Sequence, residues 1–322
     1  MEVTSSARAA GPVAVLGEPL VAFIAEDGPL PTARRYAAHV TGAEANLAIA
    51  LARLGHSVEF IGLTGQDGLG TLIRRTLRGE GVGVAHLASA PQAATGVLVR
   101  EAARQGPAEV IYHRAQSAGS LLSPADLPAD EGFFDQAAIL YVSGITLALS
   151  ATARDAVTVA ITRANQADTL IALDVNMRRR LWTPLQARAA FAAVVPDVDI
   201  VFADDAELAV LDDGEPAAVI ARLHERGVGT VVRKRGQAGA EVHRAGETPL
   251  LLATAADVSV RDTVGAGDAF AAGYLSALLD GEHGAGELLR RAHLLGAYAV
   301  SALGDTTALP ERWRMNQTDT AR

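Results

Sequence analysis

"RDTVGAGDAFAAGYLSALL", residues 261–279, sets two glycines, two aspartates and a threonine at the entrance to an unbroken apolar helix pattern. A helix N-terminus leaves its first amide N–H groups unpaired and carries partial positive charge, so it attracts anions. Here Gly265, Ala266 and Gly267 carry no large side chain, which lets an oxyanion or a phosphate approach those amides. Asp268, in the first turn, would repel such an anion if it served binding alone. As the acceptor of a proton from an attacking hydroxyl, its placement makes chemical sense. A second reading stays open: Asp favours helix starts, and Gly-Ala-Gly followed by Ala269, Ala272 and Gly273 permits close helix packing.

Outward from this motif, short β-type runs alternate with helical patterns. "PVAVLGE" (12–18), "SVEFIGLTG" (57–65), "AAILYVSG" (137–144), "TLIALDVN" (169–176), "VDIVFAD" (198–204) and "GTVVRKRG" (229–236) read as strands. Helices are predicted over 42–55, about 68–80, 150–166, 184–194, 266–280 and 285–303. This rhythm predicts an α/β fold, a doubly wound, mostly parallel sheet flanked by helices, in a single domain over 1–322. Residues 19–41 and 94–116 break it with alternating pieces such as "EPLVAFIAE", "RRYAAHV", "TGVLVRE" and "EVIYHRA", which suit antiparallel strands. They would form either a small β-strand lid over the carboxyl ends of the main strands or ordinary surface hairpins.

Composition narrows the function. The 322 residues are 49% hydrophobic and 20% charged, as in a soluble globular protein. No apolar run reaches the roughly 18 residues of a membrane span, and "MEVTSSARAAGP" lacks the apolar core of a secretory signal, so a cytoplasmic location is expected. With no cysteine, thiolate metal sites and cysteine nucleophiles are excluded. A net charge of −9 argues against nucleic-acid or anionic-membrane partners, so any anionic ligand must be captured by a few arginines or helix N-termini. The Walker pattern G-x-x-x-x-G-K-[ST] is absent.

The string "DTVGAGDAF" (262–270) resembles the C-terminal signature of the ribokinase (PfkB) family of carbohydrate kinases, D-T-x-G-A-G-D. The resemblance implies a ribokinase-like fold, ATP and Mg²⁺ as cofactors, an anion hole at Gly265, Ala266 and Gly267, and Asp268 as the base. The first Asp and Thr263 would lie by the nucleotide and, in some members, by a monovalent cation such as K⁺. "TGAEANLAIALARLG" (41–55) is similar to the family's G-G-x-x-x-N signature with Thr41 for the first glycine. It implies sugar contacts from Gly42, Ala43 and Asn46, although a local helix-start bond would also explain Asn46. "VVRKRGQAGA" (231–240) resembles the nucleotide-binding strand and turn, implicating Lys234, Arg235, Gly236 and Gly239 in ATP binding, with a solvated basic strand end as the alternative for Lys234. "ADDAEL" (203–208) aligns with the family's N-x-x-E motif, with Asp204 for Asn, so Asp204 and Glu207 are the candidate metal residues.

Three middle stretches look like those of 2-keto-3-deoxygluconate kinases, where Y-x-R-x-x-S-A and D-x-N-x-R-x-x-L-W recur: "IYHRAQSAGSLLSPADL" (111–127), "YVSGITLALS" (141–150) and "LDVNMRRRLW" (173–182). By that likeness Tyr112 and Arg114 would reach the substrate from the lid, Arg178 would hold a carboxylate, and Asn176 with Arg178 would also lie near the phosphates. "RRR" at 178–180 also suits a solvated run, and Arg104 and Arg114 ordinary lid surface. Leu98 replaces a usual lid tyrosine, His113 a second aromatic, and His293 an asparagine beside the nucleotide. The expected reaction is phosphorylation of the terminal hydroxyl of a sugar acid, with fructose or a nucleoside as rival acceptors, a non-catalytic sugar sensor as a remoter one, and a homo-oligomer formed through the lid.

Overall fold

The computed structural model describes residues 11–102, 109–130, 132–253 and 259–315, so Arg104 lies outside the described residues. The strands among them are β1 (Val13–Leu16), β2 (Leu20–Ala25), β3 (Tyr36–Thr41), β4 (Val58–Gly65), β5 (Leu87–Ala90), β6 (Val97–Glu101), β7 (Val110–His113), β8 (Ile139–Ser143), β9 (Leu170–Asp174), β10 (Ile200–Asp204), β11 (Thr230–Lys234), β12 (Ala240–Arg244) and β13 (Leu250–Leu252). Nine form one sheet in the order β13-β12-β11-β10-β9-β8-β1-β4-β5. From β11 across to β5 every neighbouring pair is parallel; β12 and β13 close one edge antiparallel.

The parallel strands are apolar runs because both their faces are covered. In β1, Val13 and Val15 join one core while Ala14 and Leu16 join the other, the period of two expected of a strand between two layers. The first core takes apolar side chains from helices Ala43–Arg53, Gly68–Gly79, Ala266–Leu279 and Ala285–Val300. The second takes them from Ala151–Gln166, Pro184–Val194, Asp205–Leu211 and Pro216–Glu225. The predicted doubly wound α/β architecture is the one observed, with β5, β12, β13 and the Phe133–Gln136, Gly144–Leu149, Asp205–Leu211 and Pro216–Glu225 helices beyond the elements the sequence marked.

The chain winds outward from β1 in both directions, through β4 to one side and β8 to the other. Such a switch in strand order opens a crevice at the carboxyl ends of the strands. Glu18 follows β1 there, and Asp174, Asp204 and Lys234 are the last residues of β9, β10 and β11. The two excursions from the βα rhythm supply β2, β3, β6 and β7, which pair with one another as a second sheet in the order β3-β2-β6-β7. In it β2 and β6 run parallel, and Leu98 stands opposite Tyr112 across the β6–β7 pair.

Candidate active site

The Ala266–Leu279 helix starts from Gly265, whose left-handed φ of 81° favours glycine, and no side chain caps the first amides. The glycines of this turn differ in what surrounds them. A Cβ on Gly265 would come within 2.9 Å of the Asp305 carbonyl oxygen, and one on Gly273 within 2.6 Å of the Arg291 carbonyl oxygen, so these two allow close backbone packing. A Cβ on Gly267 would meet nothing nearer than Lys234 Nζ at 4.0 Å. Packing therefore explains Gly265 and Gly273, while Gly267 leaves open space before the helix amides and a lysine.

Asp268 is 7% exposed and accepts from two asparagines: Asn46 Nδ2 at 2.8 Å on Oδ2 and Asn176 Nδ2 at 3.3 Å on Oδ1. Burial pushes its carboxyl up to about 7, opposed by the Asn46 hydrogen bond, reinforced by the charge of Asp174, opposed by Arg178 and reinforced by Asp305. A carboxylate poised near neutrality suits proton transfer. Asn46 sits one turn into the Ala43–Arg53 helix, which starts after Gly42 with its φ of 121°. Ala43, the first residue of that helix, is buried. Asn176 is held at a φ of 39°, a left-handed conformation that asparagine tolerates better than most residues.

Lys234 Nζ lies 2.7 Å from Asp174 Oδ1 and 3.5 Å from Glu207 Oε2. Burial lowers the proton affinity of the ammonium, but the Asp174 and Glu207 carboxylates outweigh it and hold the lysine charged beyond the ordinary range. Asp174 is fully buried, and burial raises its carboxyl against the pull of Lys234. Asp204 and Glu207 form a reciprocal capping box: Glu207 N donates to Asp204 Oδ1 at 2.8 Å, and Asp204 N donates to Glu207 Oε2 at 2.8 Å. Glu207 Oε1 also accepts from Met177 N at 3.0 Å. Among the described residues no group of three or more His, Asp or Glu forms a metal cage of its own. That is compatible with Mg²⁺, which is commonly held by one or two carboxylates together with substrate phosphates and water.

Arg178 is exposed; its one hydrogen bond among the described residues goes to the Met177 carbonyl at 3.3 Å. Its positive charge nonetheless acts on both Asp174 and Asp268. Arg114 is placed differently. It is buried, and its Nε and Nη2 both donate to Oε2 of the buried Glu18, whose other oxygen accepts from Ser117 Oγ. Tyr112 is exposed on β7 with the Arg114 guanidinium 5.8 Å from its ring centre. Arg235 pairs with Glu241 at 2.8 Å, Gly236 and Gly239 take φ values of 55° and 97° in the turn after β11, Thr263 is exposed, and the His293 ring stands 5.5 Å from Phe270.

Sequence reading gave no role to Glu18, Tyr141, Asp174 or Asp305. Asp174 was visible as the first residue of "DVNMR", but Asp305 lies 259 residues from Asn46, to which it is hydrogen-bonded at 3.1 Å, and nothing local announces it. Five buried side-chain polar atoms among the described residues have no hydrogen-bond partner. Asn46 Oδ1 and Asp174 Oδ2 belong to residues directly bonded to Asp268 and Lys234, and Tyr141 Oη feels the charge of Asp174 and Asp268. Buried polar atoms are normally satisfied, so these three atoms are left with hydrogen-bonding capacity that the described residues do not use.

Comparison with known proteins agrees with the geometry. The pattern of the pfkB family carbohydrate kinases matches residues 12–312. The chain is 36% identical over 301 residues to the 2-dehydro-3-deoxygluconokinase of Thermoproteus tenax, covering 92% of this chain and 90% of that one. It is 33% identical over 306 residues to the 2-dehydro-3-deoxygluconokinase of Bacillus subtilis, covering 93% and 92%. The 2-dehydro-3-deoxygalactonokinase of Haloferax volcanii is 34% identical over 274 residues, covering 83% and 84%. Among solved structures, a ribokinase II from E. coli in complex with ATP and Mg²⁺ superposes with a TM-score of 0.88 at 25% identity, covering 97% of this chain and all of that one. A double variant of the Vibrio cholerae fructokinase, bound to fructose, ADP and potassium, gives 0.84 at 27%, covering 96% and 98%. No helix among the described residues is long and apolar enough to cross a membrane. With the family pattern matched over residues 12–312 and relatives above 30% identity over most of its length, the chain belongs to the pfkB family of carbohydrate kinases.

Proposed function

We propose that this kinase transfers the γ-phosphoryl group of ATP to the terminal hydroxyl of a 2-keto-3-deoxy sugar acid, 2-keto-3-deoxygluconate being the preferred substrate. The observation that carries the acid, rather than a neutral sugar, is Arg178: its planar fork has no carboxylate partner among the described residues while its charge reaches Asp268. A guanidinium so placed grips a substrate carboxylate in bidentate fashion, and neutral fructose has no use for it. The names of the relatives support the same choice.

In this reading the small sheet acts as a lid, and Gly42, Ala43, Asn46 and Tyr112 line the sugar. The Asn46 Oδ1 without a partner accepts from a sugar hydroxyl. Arg114, stiffened by Glu18 through Nε and Nη2, offers the substrate its remaining Nη1. ATP lies along Lys234, Arg235, Gly236 and Gly239 with Thr263, Asn176 and His293 beside it, and its γ-phosphoryl group meets the amides of Gly265, Ala266 and Gly267. Asp268 takes the hydroxyl proton as the new O–P bond forms in line and the bond to the ADP oxygen breaks. Mg²⁺ bound with ATP, held through water by Asp204 and Glu207, would neutralise charge on the phosphates.

The test is ADP release with 2-keto-3-deoxygluconate, its galacto epimer, fructose and a nucleoside as separate acceptors. A kcat/KM for either keto acid at least about tenfold above the neutral sugars, the scale of one charge-assisted contact, is expected. Preference for fructose or the nucleoside would overturn the assignment.

A further inference from the structure

Among the described residues Arg100 is the largest of the fully buried side chains, 2% exposed, and it belongs to the small sheet rather than to the crevice. From β6 its guanidinium crosses to the motif loop. Nη2 lies 2.6 Å from Asp262 Oδ2 and 3.4 Å from Asp305 Oδ1. Burying an arginine is costly unless paired charges and hydrogen bonds compensate it, and two carboxylates do so here.

Those two carboxylates flank the phosphoryl-binding turn. Asp262 Oδ1 accepts from Val264 N at 3.2 Å and Oδ2 from Gly304 N at 3.3 Å, which ties the loop before Gly265 to the loop before Asp305. Asp305 Oδ2 accepts from Thr41 Oγ1 and from Asn46 Nδ2 at 3.1 Å, and that same Asn46 amide donates to Asp268. The Asp305 backbone is also what crowds Gly265. One guanidinium thus holds the acids on either side of the turn and, through Asp305 and Asn46, the base.

In some members of the family a monovalent cation is expected by the first Asp of the motif, and the residues present here do not fit one. The Asp262 side chain is fully buried, both oxygens already accept hydrogen bonds, and the position against Oδ2 is filled by a group that never gives up its charge. A second cation there would lie beside the first.

We propose that Arg100 is a built-in replacement for that monovalent cation, a positioning residue through which the small sheet fixes the Gly265–Asp268 turn, and that turnover consequently has no potassium requirement. The inference rests on the reading of Asp268 as the base but not on the choice of sugar acid.

The experiment has two arms, and the first needs no variant. Turnover with whichever sugar the protein phosphorylates is measured in potassium, sodium and tetramethylammonium chlorides at equal ionic strength, alongside the melting temperature in the same salts. The wild-type protein is expected to show kcat within about twofold across the salts and no potassium-specific rise in melting temperature. Potassium activation of about tenfold or more, or a potassium-specific stabilisation, overturns the proposal. If no sugar is phosphorylated, the functional reading fails, while the melting temperatures still test this one.

In the second arm Arg100→Met is expected to lose about tenfold to a hundredfold in kcat, the scale of a charge-assisted pair, and to regain at least part of it with added methylguanidinium or potassium. Arg100→Lys, which keeps a point charge, is expected to lie between the two proteins and covers the case in which the methionine variant does not fold. Wild-type turnover in Arg100→Met overturns the proposal. So does a defect that neither added cations nor the lysine variant relieves, since Arg100 would then be packing alone.

Discussion

Asn46 donates from Nδ2 to Asp268 Oδ2 at 2.8 Å, while its own Oδ1 is buried without a partner. One amide therefore does two things. Its donor side favours the ionised form of a carboxylate that burial and the neighbouring Asp174 push towards protonation, and its acceptor side is left free for the polyol hydroxyl of the proposed complex. The balance leaves the Asp268 carboxyl at about 7, where it can both hold and release a proton.

The first prediction removes that base. Asp268→Asn is nearly isosteric and cannot take the proton, so kcat should fall by about 10² or more while calorimetric affinity for the sugar acid is kept. Near-normal turnover in a folded variant would sink the assignment.

The second concerns pH. A carboxyl raised from 3.8 to about 7 in the folded protein takes up a proton on folding between those values. Its contribution to stability is therefore present at low pH and is lost as pH rises through about 7. Wild type should lose melting temperature relative to Asp268→Asn between about pH 4 and about pH 7, the window between the unfolded and folded values, with no further relative loss above it. Over the same range kcat/KM should climb and level off above about 7, because only the ionised form accepts the proton. Parallel melting curves for the two proteins, or a flat rate profile, would contradict the raised value.

The two glycines of the turn should respond oppositely. Gly267→Ala adds a methyl that meets no atom nearer than 4.0 Å, so the fold should be unaffected. If phosphoryl oxygens approach these amides as proposed, the methyl would enter their space, and a kcat loss of about tenfold or more is expected. Gly265→Ala instead forces an L side chain to a φ of 81° and within 2.9 Å of the Asp305 carbonyl oxygen, which should cost about 1 kcal/mol or more of stability. Thermal melts beside kinetics separate the two; equal melting temperatures for both variants would contradict this division.

Lys234 and Asp174 offer a double-mutant test. Lys234→Met leaves the Asp174 carboxylate fully buried and unpaired, a loss that typically costs about 3–5 kcal/mol. Asp174→Asn in the same chain removes the orphaned charge and should recover much of that stability in denaturant titrations, without restoring affinity for ATP. If the double variant is as unstable as the single one, the pair is not what the lysine contributes to the fold.

What the sequence disclosed follows from how local each signal is. Buried parallel strands are continuous apolar runs, and the Pro184–Val194 helix announces itself by a Thr183–Gln186 capping box with proline at its first position. The three-residue edge strand β13 and the polar strand β12 beside it, AEVHR, carry no such pattern. At the site, residues close to one another in a motif were legible: Gly265 with Asp268, and Gly42 with Asn46. Arg100 with Asp262, 162 residues apart, and Arg114 with Glu18, 96 apart, were not, because a buried pair formed by folding leaves no spacing to read. Arg114 reads from sequence as a substrate arginine, and its pairing with Glu18 through Nε and Nη2 adds a partner that the sequence does not announce.

The last prediction distinguishes the arginines by what already binds them. Arg178 is exposed with no acid partner among the described residues, so replacing it leaves no buried carboxylate behind and should change stability by less than about 0.5 kcal/mol. If its fork holds the substrate carboxylate, Arg178→Lys should raise KM for the sugar acid and Arg178→Ala should raise it further, by about 10- to 150-fold, because an ammonium cannot supply two parallel donors. ATP affinity is a partial control, since Arg178 also bears on Asp174 beside Lys234. The sharper control is the analogue whose carboxylate is reduced to an alcohol: wild type should use it poorly, and the Arg178 variants should lose little further on it. Removing the guanidinium also removes a charge that lowers the Asp268 carboxyl, so the acid limb of kcat/KM should move upward in Arg178→Ala with either substrate. Equal losses on acid and alcohol would assign Arg178 to the phosphates or to the loop, and the preference for a sugar acid would then have to come from another residue.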